Sequence, residues 1–137
     1  MIMEYFKDAE KNLFRPDLLD KDALTASTKI VEESKDKRGF SRFSLSSSQL
    51  RKFFNEFRNL EKKANTTDDF QKILPLVKLV KSKAEYYRGK NSISKEFKDF
   101  LHDNVNSIHD KRDFEAFMLY FEAIVGYCYG KPGFHKN

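Results

Sequence analysis

His102 and His109 stand seven residues apart, each followed directly by an aspartate, Asp103 and Asp110. Imidazole and carboxylate together could ligate a metal, but no third ligand at a useful spacing converges on them. His102 falls on the polar side of its helix, and both histidines are expected at the surface. Glu115 and Glu122 lie two helical turns apart, about 10 Å, too far to share a proton or act as a catalytic pair. Glu122 is better suited to pairing with a Lys or Arg of a neighbouring helix. The single Cys, Cys128, sits among apolar residues and reads as a small hydrophobe. The five Gly are scattered and build no phosphate-cradling loop. Nothing here supports an enzyme, and no cofactor or metal is implied.

The residues that could do chemistry are basic. Arg51, Asn55, Arg58 and Lys62 recur at helical spacing with no acidic residue among them. Lys52 has Glu56 four residues on and reads as a surface pair. Further along, Lys78, Lys81 and Arg88 share a side of a helix, with Glu85 among them, so ordinary intrahelical pairing explains part of that group. Between residues 35 and 47, Lys35, Lys37, Arg38 and Arg42 alternate with Phe40 and Phe43 in a loop marked by Gly39 and serines. Basic residues beside aromatics suit single-stranded nucleic acid; a solvated linker pinned by its two Phe is the plain alternative. A net charge of +5 and a pI of about 9.2 fit an acidic partner.

The elements that position these residues are helical. Residues 114–129 carry only two charges and are apolar nearly all round, leaving a narrow line through Glu115, Glu122 and Gly126 for water. Such a helix must be surrounded by other helices, since it is too short and too charged to span a bilayer. Around it, residues 17–35 form a helix with a thin stripe of Leu19, Ala23, Ala26 and Ile30, placed outside or mobile. Ser46 and Gln49 make a capping box, with Leu45 and Leu50 as the hydrophobic staple, opening a helix to about residue 64. Its apolar face is Leu50, Phe53, Phe54, Phe57, Leu60 and Ala64. Thr66 caps a third helix with Asp68 and Asp69 in its first turn. That helix turns Phe70, Ile73, Val77, Val80, Ala84 and Tyr87 inward, is kinked at Pro75 and closes at Gly89. Leu79 and Tyr86 point the other way and require another helix or a partner. Ser92 or Ser94 starts a fourth helix, and Asp110 caps the fifth.

The fold class is therefore all-α, a compact bundle of about five helices around a central C-terminal helix. Residues 1–16 are expected as a flexible N-terminal arm, 17–129 as a single helical-bundle domain and 130–137 as a flexible basic tail that frays. No strand signal of any length appears. One Cys and an N-terminus without an apolar signal segment suit the cytoplasm.

Taken in order, SSSQLRKFFNEF, LPLVKLVKSKAEYYRGK, EFKDFL and DKRDFEAFMLYFEAIVGY resemble the small-subunit family of type III-A CRISPR effector complexes, the Csm small subunit, over residues 46–129. The resemblance implies a non-catalytic helical protein whose copies line up as an inner filament beside the other subunits. It would offer a basic surface to the guide–target RNA duplex, chiefly to the target strand. Within QLRKF, residues 49–53, it implies Arg51 and Lys52 as RNA contacts, and it adds Lys78, Lys81 and Lys83 after the LPL motif. The family has a basic residue after the glycine; here Arg88 and Lys90 flank Gly89, and either could serve. The implied partners are guide RNA and target RNA, the other subunits of the complex and copies of the chain itself through Leu79 and Tyr86. A helical adaptor that binds only protein, with its lysines a solvated surface, is the competing reading.

Overall fold

The structure, a computed structural model, describes residues 2–35, 37–39 and 41–136. Among them are five α-helices and two small antiparallel strand pairs. The all-α expectation holds, with the last helix at its centre. That helix, α5 (Lys111–Tyr129), begins at Asp110, whose Oδ1 accepts from the Asp113 N–H at 2.9 Å. Asp113 in turn accepts from the His109 N–H at 2.9 Å, so one free donor of the first turn and the N–H just ahead of the cap are satisfied. Phe114, Phe117, Phe121 and Cys128 are buried on one side, and Ala116 and Tyr120 on the other. Glu115, Glu122 and Gly126 face water as expected, joined by Leu119.

Helix α2 (Ser47–Asn65) lies against α5. The Ser46 hydroxyl accepts from the Gln49 N–H at 3.2 Å, and Leu45 and Leu50 are fully buried, so cap and staple form. The reciprocal half of the box does not, because Gln49 Oε1 is buried without a partner among the described residues. Phe57 and Phe54 meet the Phe121 ring at 5.9 and 5.3 Å, edge to face.

The third helix departs from expectation at both ends. Thr66 closes α2, and Asp69 caps a single 3₁₀ turn, Phe70–Lys72, accepting from the Gln71 N–H at 2.9 Å. Helix α3 (Leu74–Gly89) starts only then, with Pro75 in its first turn, and no kink is needed. There a missing N–H costs nothing and no carbonyl lies four residues back to clash with the ring. At the other end Lys90 is the C-cap and Asn91 takes the left-handed conformation (φ 59°), while Gly89 stays within the helix. Helix α4 (Lys95–Asn106) settles the choice of cap on Ser94, which accepts from the Phe97 N–H at 3.1 Å. The same hydroxyl donates to the Ile30 carbonyl at 3.1 Å.

Ile30 ends α1 (Ala23–Ile30), which packs across α5 and α4 and is no loose outer helix. A π-helical turn, Leu18–Asp22, precedes it. The wider turn shifts the helical phase, so Leu18 is buried and Leu19 is exposed. The expected run to residue 35 is broken by β3 (Glu33–Lys35) and β4 (Ser41–Phe43), which pair antiparallel. A second pair, β1 (Phe6–Asp8) and β2 (Leu13–Phe14), occupies the N-terminal arm. These strands are too short to show alternation in sequence.

Described residues of both terminal segments contact the core. Tyr5 is buried, and its hydroxyl donates to Asn104 Oδ1 of α4 at 2.8 Å. The Met3 N–H donates to Ser107 Oγ at 2.8 Å, and Arg112 of α5 donates to the Ala9 carbonyl at 2.5 Å. Near the C-terminus Phe134 is fully buried between Phe43 (5.2 Å) and Tyr129 (5.4 Å). Tyr5 and Phe134 supply apolar area that a stripe-based reading of the helices does not count. Among the described residues no helix is long and apolar enough to cross a membrane.

Candidate nucleic-acid interface

Arg51, Asn55, Arg58 and Lys62 run exposed along α2 as their spacing requires. Their surroundings differ. Arg51 donates through Nε and Nη2 to the Tyr129 hydroxyl of α5 at 3.2 and 2.9 Å. That hydroxyl donates in turn to the Ser47 carbonyl at 3.4 Å. The guanidinium is fixed by a neutral group and not by a carboxylate. Arg58 instead pairs with Glu61 at 2.9 Å and with Glu122 of α5 at 3.4 Å, while resting on the Phe54 ring. The line carries no acid in α2's own register, yet a carboxylate three residues on and another from α5 close over Arg58. Glu122 thus finds the basic partner on a neighbouring helix expected of it. Lys62 has no side-chain partner among the described residues.

Toward α3, the expected Lys52–Glu56 pair is replaced. Glu56 binds Lys83 across the helices, and Lys52 turns to the Tyr87 hydroxyl with its ammonium 4.1 Å from the ring centre. Lys90 makes the same kind of contact with Tyr86, at 3.3 Å to the hydroxyl and 5.1 Å to the ring centre. Other cations named from the sequence serve the fold. Lys78 donates to the Val105 and Ile108 carbonyls at 2.9 and 3.4 Å, capping the C-terminal end of α4. Burial, then the nearby Lys81, lowers the Lys78 pKa from its ordinary value. Lys81 reaches Asn106 Oδ1 at 2.6 Å, and Arg88 holds the Ile93 carbonyl at 3.0 Å. The basic residues therefore fall into three groups. Lys78, Lys81 and Arg88 tie α3 to α4 and its approach, Arg58 and Lys83 are matched by carboxylates, and Arg51, Lys52, Lys90 and Lys62 stand at the surface with no carboxylate partner among the described residues.

The hairpin of β3 and β4 joins this surface through aromatics. Phe43 packs on Phe134, Phe134 on Tyr129, and Tyr129 holds Arg51. That chain of contacts sets the hairpin at the Arg51 end of α2, with Arg38 and Arg42 exposed upon it. Phe40, the second aromatic of this stretch, lies outside the described residues.

Three tyrosines that orient cations were missed as functional groups, because Tyr87 and Tyr129 read as core and Tyr86 as a contact residue. No local signal separates them, since Tyr5 and Tyr120 are buried in the core while Tyr86 is exposed and Tyr87 and Tyr129 are half-buried.

The remaining candidates resolve simply. His102 is half-buried rather than exposed, with Nε2 3.2 Å from Glu85 Oε1 and without hydrogen-bond alignment; Lys98 stands 3.7 Å from the same oxygen. His109 is exposed. Burial pushes the Cys128 thiol up to about 12, so it stays protonated and unreactive near neutrality. Among the described residues no three His, Cys, Asp or Glu side chains gather as a metal site would need. Leu79 and Tyr86 are exposed as their phase demands, and Leu76 joins them. Leu76 and Leu79 border a cleft of about 250 Å³ between α2 and α3, with Lys63 and Lys83 beside them.

The Csm2 Type III-A family model matches residues 25–131, most of the chain. No match is found among the curated proteins or among the solved structures. Covered by that match from α1 to just past α5, the chain belongs to the Csm2 Type III-A family, the structural small subunit of a type III-A CRISPR complex, and works with that complex's other subunits.

Proposed function

We propose that the chain is a non-catalytic, RNA-binding subunit of the complex. Its copies line up as an inner filament in the cytoplasmic assembly and support the guide–target RNA duplex on a basic helical surface. The observation that carries this reading is the way Arg51, Lys52 and Lys90 are held. Each is oriented by a tyrosine hydroxyl, which orders the side chain without cancelling its charge. A merely solvated face is served by pairs such as Lys83–Glu56 and Lys95–Asp99. Ordered, uncompensated cations suit phosphate oxygens, which give affinity without sequence preference. Lys62 extends the surface along α2, and Arg38 and Arg42 extend it beyond the Arg51 end. Leu79 and Tyr86, with Leu76, supply the contact between copies, a heterologous contact that need not close.

The test is the purified complex carrying Arg51→Glu, Lys52→Glu and Lys62→Glu together. Subunit composition and co-purified guide RNA should be retained, while target RNA is held about tenfold or more weakly at moderate salt. An assembled complex that holds target RNA equally tightly with the three charges reversed refutes the proposal.

A further inference from the structure

Between α2 and α3, toward the C-terminal end of α3, lies a cleft of about 290 Å³ lined by Lys52, Glu56, Ser82, Lys83, Tyr86 and Tyr87. Tyr86 is 60% exposed, the one aromatic residue among those described that lies mostly in water. It meets Tyr87 edge-on, with ring centres 5.2 Å apart and planes at 78°. The fold gains little from a ring placed there, since most of its apolar area stays hydrated. Two ammonium groups stand by these rings, Lys52 at Tyr87 and Lys90 at Tyr86, and neither meets a carboxylate among the described residues. The remaining lining is polar: the Glu56–Lys83 ion pair, and Ser82, whose hydroxyl donates to the Leu79 carbonyl at 2.9 Å.

An apolar side chain from another protein would fit poorly here, because it would strip water from Lys52 and Glu56 and give nothing back. A heteroaromatic base offers a flat face to the ring and polar edges to the far wall, and it comes attached to phosphate. The volume is at or below the low end of ligand pockets, roughly 300–1,000 Å³, which suits one planar ring system with its backbone outside. We infer that this cleft is a stacking site for a single unpaired nucleobase, seated against Tyr86 with the adjoining phosphate on Lys52 and Lys90. The inference rests on the RNA-binding reading above but demands more, since phosphate contacts alone do not require a base. It also takes Tyr86 away from the contact between copies, leaving Leu76 and Leu79 there.

The test uses the full chain and two decamers. One is oligouridylate carrying 2-aminopurine at its centre; the other is the same ribose-phosphate backbone with every base removed. Wild type and Tyr86→Phe should quench the 2-aminopurine fluorescence and bind the base-bearing decamer about fivefold or more tighter than the abasic one. Tyr86→Leu should lose both the quenching and the preference while keeping its melting temperature, and it should bind the abasic decamer as tightly as Tyr86→Phe, which also lacks the hydroxyl that holds Lys90. Equal binding of the two decamers by wild type, with salt dependence intact, would overturn the stacking site and leave the phosphate reading standing. Quenching by Tyr86→Leu as strong as by Tyr86→Phe would overturn it too, as would a Tyr86→Leu chain that loses only self-association. Binding of neither decamer would refute both readings together.

Discussion

Tyr5 shows how one side chain outside the helices can be anchored on one of them. Its hydroxyl is the donor to Asn104 Oδ1, and Asn104, itself buried, spends its amide on the Phe100 carbonyl at 2.8 Å. Tyr5→Phe leaves that Oδ1 without a donor and should cost about 1–3 kcal/mol, read as a lower urea midpoint with an unchanged slope. An unaltered midpoint would mean that the arm does not seat as described. Cys128 makes a different prediction. Its thiol ionises near 9 when exposed and is pushed up to about 12 by burial in the fold. Between those values the unfolded chain gives up a proton that the folded chain keeps, so stability falls as pH rises through the window. The buried phenols of Tyr5 and Tyr120 are shifted the same way. From pH 8 to 10 the wild type should lose about 1 kcal/mol more than Cys128→Ala, measured by urea unfolding at each pH. Equal losses would show that the thiol ionises freely in the fold.

Among the elements, α5 bears most of the packing. Phe121 is fully buried and meets the rings of Phe54, Phe57, Phe100 and Phe117 at 5.3–5.9 Å. Phe121→Ala should cost about 3–5 kcal/mol through lost transfer energy and the cavity left behind; a loss below 1 kcal/mol would contradict the central place of α5. This helix could be read from the sequence because its apolar residues cover every side but one. The caps at Ser46 and Asp110 were legible as well, and that of the fourth helix was narrowed to Ser92 or Ser94, since each rule links a side chain to a backbone N–H three residues on. Where the reading failed, local pattern and backbone diverged. Phe70, Ile73, Val77 and Val80 keep one face through a 3₁₀ turn and into α3, so periodicity alone fuses two elements and turns Pro75 into a kink. Leu18 and Leu19 exchange places because a π-helical turn alters the phase, which a fixed 100° step cannot register. The strand pairs span two or three residues each, too few for any period.

At the scale of the whole molecule, the charged surface could be read only in part. The line of Arg51, Arg58 and Lys62 is plain in α2, but which of its charges survive depends on α5, with Glu122 lying 64 residues from Arg58 and Tyr129 lying 78 from Arg51. No local rule reaches that far. The contact of Lys90 with Tyr86 is the exception, four residues apart on one helix. In the proposed function, tyrosine-held cations act on phosphate, and the salt dependence of RNA binding measures that most directly. With about four phosphates neutralised on single-stranded RNA, log affinity should fall against log salt with a slope near −3 for the wild type. Arg51→Glu, Lys52→Glu and Lys62→Glu together should flatten that slope to about −1 and weaken binding at every salt concentration, with the melting temperature nearly unchanged. A triple variant that keeps the wild-type slope and affinity would contradict the account.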